Sequence, residues 1–336
     1  MTSIVYHTGL PGEEASGQNA DSDASPNDSV FVLLLKPPKS WRSVRVTNQD
    51  LHALSVVFPN LASACMRIDL SAYVTNHVPQ FSNLISLTLE FSTMHAITAA
   101  LPPALTVLCG APRLKTLHIT HTEHTPGFES AVPLQKGIID MLPFSLTEYG
   151  VTDFFASWLA PLQRSRTTLR RLSLSRTLIP QSALGREGPL LDRLAEQGPF
   201  PELHDLVLHV LPIFSGKELE RLQRLMVQCS RLQRLEILLL RPEDVHRLLR
   251  TLDALFAPLM HLDLHLLRFP FISQSWMIDD DDIDDICAAL LSTPVLHRLK
   301  SLTLHVPATL LQRTVVACNR LQHFCTTGRI KFQVSL

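Results

Sequence analysis

The sequence predicts an α/β solenoid of parallel strands with helices returning along the other side. Three observations carry that expectation. The first is a phrase of the form L-x-x-L-x-L. Leu84/Leu87/Leu89, Leu169/Leu172/Leu174, Leu203/Leu206/Leu208, Leu259/Leu262/Leu264 and Leu299/Leu302/Leu304 match it outright, while Leu114/Leu117/Ile119 and Leu232/Leu235/Ile237 carry Ile in the third slot. The second is a set of apolar stripes at helical spacing between the phrases. The third is the interval: the first leucines, with weaker anchors at Leu146 and Leu321, lie from 22 residues apart (321 − 299) to 40 (299 − 259). One strand, one helix and two loops fit in that length.

The last two apolar positions of each phrase are two residues apart, so on a strand both point to one face. A single strand–helix unit cannot bury that face alone, and stability is shared between neighbours. Strands stacked in parallel would line a concave face and helices a convex one.

Residues 1–29 are rich in Gly, Ser, Asp, Asn and Pro and carry Glu13, Glu14, Asp21, Asp23 and Asp28 but no Lys or Arg. So few apolar groups cannot offset the entropy of ordering, and a disordered acidic tail is expected. Residues 30–336 are expected to form the repeat domain. Val30–Leu35 and Trp41–Val46 read as strands covering its first apolar end. Pro59-Asn60-Leu61 and Ile68-Asp69-Leu70 mark a degenerate first repeat, and Leu84 opens the regular series.

Ser215-Gly216-Lys217-Glu218 reads as a capping box before Leu219, Leu222 and Met226. Val245, Leu248, Leu249, Leu252 and Phe256 form one helical face over 243–256, with Pro242 before it and Pro258 beyond. Ile283, Ile286, Cys287, Leu290 and Leu291 form another. It follows Asp279–Asp282, whose carboxylates suit the positive end of a helix. Ile330, Phe332, Val334 and Leu336 alternate with polar residues, which predicts a closing strand.

The chain balances 30 basic against 31 acidic residues. That argues against nucleic acid and anionic membranes as partners, since both select a clustered basic excess. Cys65, Cys109, Cys229, Cys287, Cys318 and Cys325 never form C-x-x-C, and buried reduced thiols are expected. Residues 1–15 lack the basic and apolar blocks of a secretory signal, and no early apolar run could span a bilayer. A cytoplasmic or nuclear protein is the expectation.

Leu84–Glu90, Leu169–Ser175, Leu203–His209, Leu232–Leu238 and Leu299–His305, with helices between them, resemble the ribonuclease-inhibitor-like leucine-rich repeat superfamily. The irregular intervals are similar to the repeat region of fungal F-box proteins. The resemblance covers roughly residues 40–328. It implies a leucine-rich repeat solenoid, a non-enzymatic protein-interaction role without cofactors, and a substrate receptor joined to a Skp1-type adaptor and a ubiquitylation substrate. The chain departs from the family in two places. His305-Val306-Pro307 stands where an Asn usually follows the strand leucines, and no Leu-Pro-led F-box is evident before the repeats.

The solvent-facing strand positions follow from the phrase. They are Ser86, Thr88 and Glu90; Thr116, His118 and Thr120; Arg171, Ser173 and Ser175; and Asp205, Val207 and His209. Arg234, Glu236 and Leu238; His261, Asp263 and His265; and Ser301, Thr303 and His305 complete the set. Such varied polarity suits recognition of one partner. Arg171, Asp205, His209, Arg234, Glu236, His261, Asp263, His265 and His305 are the candidate partner-binding residues, joined by Trp276 from the aromatic-acidic stretch in the longest interval. Arg234, His265 and Trp276 are the residue types that anchor interfaces.

Two other readings remain open. His209, Asp263, His265 and His305, with His261, offer imidazoles and a carboxylate that bind zinc or exchange protons when brought together. Against that, Leu238 interrupts their row and no local spacing fixes a third ligand, so neither catalytic nor metal residues are assigned. His118, His121, Glu123 and His124 lack the helical spacing of H-E-x-x-H. The acidic run lacks the Gly and closing Glu of a calcium loop. The remaining reading is a diverged copy that folds without a dedicated partner.

Overall fold

The computed structural model describes residues 3–5, 45–46, 56, 61–68, 80–91, 108–121, 142–152, 159–175, 190–209, 216–239, 242–254, 259–266, 280–306 and 318–335. The protein is α/β, with parallel strands and intervening helices. It forms two compact units, Met1–Ser145 and Leu146–Leu336.

In the first unit, β3 (Ser63–Ile68), β4 (Ser86–Phe91) and β5 (Thr116–His121) pair in parallel, aligning Ser63 with Ser86 and Ser86 with Thr116. Two short strands lie along β3. β1 (Ser3–Val5) pairs with its first half and β2 (Arg45–Val46) with its last two residues. Ser3–Val5 thus belongs to a sheet, although composition predicts a disordered tail there; the rest of 1–29 and Val30–Leu35 lie outside the described residues.

The second unit runs in sequence order through β6 (Glu148–Thr152), β7 (Arg171–Ser175), β8 (Asp205–His209), β9 (Arg234–Leu239), β10 (His261–Leu266), β11 (Ser301–His305) and β12 (Lys331–Ser335). Its register aligns Tyr149, Leu172, Leu206, Leu235, Leu262, Leu302 and Phe332 in one row. All are fully buried except Phe332, on the terminal strand. Burying each such leucine is worth roughly 1.5–3 kcal/mol, which makes this row a main source of cohesion.

A helix separates each consecutive pair of these strands: α1 (Leu159–Ser165), α2 (Leu190–Gln197), α3 (Gly216–Val227), α4 (Pro242–Ala254), α5 (Asp280–Ser292) and α6 (Asn319–Thr327). Each packs on the next. The buried stripes are those the spacing predicts: Leu222 and Met226 on α3; Val245, Leu248, Leu249 and Leu252 on α4; Ile283, Ile286, Cys287 and Leu290 on α5. α4 starts at Pro242, where a missing N–H costs nothing because the first helical amides have no partner within the helix. The acidic run sits at the start of α5. Among the described residues no helix is long and apolar enough to cross a membrane.

Two backbone devices repeat at the strand starts. The first leucine of a phrase donates its N–H to a carbonyl three residues earlier, as in Leu84 to Phe81, Leu114 to Ala111, Leu203 to Phe200, Leu232 to Cys229 and Leu299 to Leu296. All five acceptor residues are buried, so the apolar phrase begins three residues before its first leucine. In addition, the carbonyl just before a strand accepts two successive amides from the following repeat. His204 and Asp205 both donate to Arg170 (2.8 and 3.0 Å), Gln233 and Arg234 to His204, and Met260 and His261 to Gln233. Ala62, Ile85, Thr147 and Met260 accept in the same way.

Candidate functional site

With leucines filling one face of the second unit's strands, the alternate side chains share the other. The register sorts them into three rows. Glu148, Arg171, Asp205, Arg234, His261, Ser301 and Lys331 form the first. Val207, Glu236, Asp263, Thr303 and Gln333 lie in the second. Leu238, His265, His305 and Ser335 lie in the third, where His209 closes β8 at one side.

Along the first row, Arg171 Nη1 lies 3.5 Å from Glu148 Oε1, and His261 Nδ1 meets Ser301 Oγ at 2.7 Å. Asp205 is aligned with Arg171 on one side and Arg234 on the other. Arg234 reaches across to Asp263, with Nε at 2.9 Å and Nη2 at 2.7 Å from Oδ2. The Asp263 carboxylate is buried, and a guanidinium is suited to satisfying it. The same Nη2 is 3.3 Å from Glu236 Oε2.

The densest chemistry gathers around Glu236. Its Oε1 lies 2.9 Å from His265 Nε2 and 3.0 Å from His209 Nε2. The first contact is a hydrogen bond. The second is within ion-pair range but off the line of a hydrogen bond, leaving His209 Nε2 buried and without one. The His209 and His265 rings meet over the strand between them with centroids 4.3 Å apart. His305 stacks on His265 at 3.8 Å, with planes 9° apart, and its Nδ1 meets Ser335 Oγ at 2.6 Å. Contact with His209 and then with His265 holds the Glu236 carboxyl well below the usual carboxylate range, outweighing the opposite effect of burial. Burial, then the charge of His265, lowers the His305 imidazole from its ordinary value, although Asp263 and Glu236 act the other way.

This geometry corrects the composition of the expected cluster. His209 and His265 do come together, and Leu238, which separates them in their row, is buried beneath the meeting point. The carboxylate between them belongs to Glu236, from the neighbouring row, because Arg234 holds Asp263. His305 joins by stacking, and His261 is tied to Ser301 instead. The sequence places Glu236 on this face, but nothing in it says which acid the arginine will take. Trp276 lies outside the described residues, as do Glu123 and His124; His121 closes β5.

The cysteines are all free. Cys229, Cys287, Cys318 and Cys325 are buried, with Cys287 Sγ 3.0 Å from Cys318 Sγ, and Cys65 and Cys109 are half-buried. Comparison of the chain with protein-family models and with curated proteins finds no match.

Proposed function

We propose that the chain is a leucine-rich repeat solenoid and that the polar strand face of its second unit docks another protein. The observation supporting this reading is the register. It aligns the alternate side chains of the second unit's seven strands in rows whose chemistry differs from strand to strand. Arg171, Arg234, His265 and His305 give that surface planar, partly exposed donors and rings, the groups that anchor interfaces. Ion pairs within the face hold several of these side chains in place before binding, which lowers the ordering cost.

The partner relation extends the resemblance to F-box leucine-rich repeat proteins. The protein would be a non-enzymatic substrate receptor, with a Skp1-type adaptor and a ubiquitylation substrate as its associates. Purification of tagged full-length chain from its native cells, beside an Arg171→Glu/His305→Ala variant, tests both parts. A saturable partner weakened at least tenfold by the variant supports the docking face. Equal recovery with both proteins removes that face from the interaction. An adaptor and cullin among the co-purifying proteins support the receptor role; one abundant partner without them assigns a scaffold role instead.

A further inference from the structure

The geometry points to a divalent-metal site on this face, with His209 Nε2, Glu236 Oε1 and His265 Nε2 as the protein ligands of a zinc-class ion. This goes beyond partner docking and does not depend on it.

The three donor atoms all lie within 4.8 Å of one another. A tetrahedral zinc ion bonded at about 2.0–2.1 Å sets its ligand atoms roughly 3.3 Å apart. The two carboxylate–imidazole separations, 3.0 and 2.9 Å, are within a few tenths of an ångström of that spacing. The third edge, between the two imidazole nitrogens, is at most 4.8 Å, and rotation of the His209 ring about its side-chain bonds can shorten it.

Those anchors are stiff. The ligands come from β8, β9 and β10, three adjacent hydrogen-bonded strands, and rigid elements hold a ligand set better than loops do. The surrounding contacts suit the role. Arg234 Nη2 reaches Glu236 Oε2, leaving Oε1 directed at the imidazoles. His305 stacks on His265 and, held by Ser335, restricts the ligand ring's plane. Such outer contacts orient the donors of metal sites.

A second observation, separate from the clustering, marks the centre. His209 Nε2 is buried without a hydrogen bond, although the nearest carboxylate oxygen is 3.0 Å away. The atom is thus ion-paired but not held by a directed hydrogen bond, and facing a carboxylate and a second imidazole it is placed to coordinate an ion. Two imidazoles and one carboxylate favour zinc, cobalt or nickel over magnesium or calcium, which prefer all-oxygen sets. Three protein ligands leave the fourth position to water.

The test uses full-length protein stripped with a chelator, desalted and titrated with Zn2+, with bound metal measured after a second desalting. The expected result is one Zn2+ per chain, with affinity lowered at least tenfold in Glu236→Gln and in His265→Gln. His246→Gln, on the exposed side of α4, should keep the wild-type stoichiometry. Circular dichroism of the near-isosteric Glu236→Gln variant separates loss of the ligand from loss of the fold. Failure to retain stoichiometric Zn2+, or equal retention by folded Glu236→Gln and His265→Gln, overturns the site. Neither result bears on whether a protein partner binds.

Discussion

Two arginines of the polar face look alike in sequence and differ in what they hold. The Arg171 side chain is 48% exposed, and its partner Glu148 is also reached by water. Arg234 instead binds an Asp263 side chain that is only 6% exposed. Solvent screens the first pair, so Arg171→Ala should cost less than about 1 kcal/mol. Arg234→Ala leaves a buried carboxylate without its guanidinium; with the arginine itself partly exposed, the loss should be about 1–3 kcal/mol. Urea unfolding of both variants checks the order, and equal losses would remove the distinction. The thiols give a second prediction. Burial, then the neighbouring Glu90, pushes Cys65 up to about 12, and burial also raises Cys109. Native alkylation of these two thiols near pH 8 should therefore be slow. Cys109 should be modified before Cys65, while Cys229, Cys287, Cys318 and Cys325 react only after unfolding; peptide mapping over time reads that order. At this scale the sequence reveals which side chains share a face, because a period of two sorts them. It does not reveal how they pair, because Arg234 chooses between acids by reach, and reach depends on the strands' packed positions.

Among elements, the strands and the long helices were the most legible, since each buries a stripe whose period shows in the chain. The 3-10 turn Pro294–Arg298 and the turns before five of the first leucines were less so, because backbone hydrogen bonds build them and ask of the sequence only a buried residue three before the leucine. The connection from α6 to β12 shows a local choice with a cost. Ile330 N–H bonds to Cys325 carbonyl and Arg329 N–H to Thr326 carbonyl, the pattern that ends a helix through one left-handed residue. That residue is Arg329, with φ of 60°, while Gly328 before it has an ordinary φ of −78°. The glycine thus sits one position ahead of where its freedom would help. Arg329→Gly should stabilise the protein by about 1 kcal/mol, visible as a raised urea midpoint. Gly328→Ala should be nearly neutral, because a new Cβ there would be no closer than 3.4 Å to its nearest neighbour. A destabilised Arg329→Gly protein would mean that the side chain matters more than the backbone strain.

At the level of the whole molecule, the boundary between the two compact units falls at Ser145/Leu146, beside the phrase Leu146/Tyr149/Val151, one of the two weak matches to the repeat. Sequence spacing alone passes through that point without a mark. Within the second unit, stability should fall towards the end, since an interior strand pairs with two neighbouring strands and, among the described residues, β12 pairs with β11 only. Leu235→Ala should cost about 2–5 kcal/mol, and Phe332→Ala, only partly buried, about 1–2 kcal/mol. Denaturation curves that reversed this order would contradict the shared-neighbour account. The doubly accepting carbonyl found before seven of the strands also bears on how such a chain can change. It works like a hook that catches the next repeat at its first residue and ignores the length of thread in between. His261 and Ser301 are 40 positions apart yet aligned, as are Arg171 and Asp205 at 34 (205 − 171). Residues added or lost beyond a strand's end are absorbed as slack, and the polar rows stay in line while the loops around them vary.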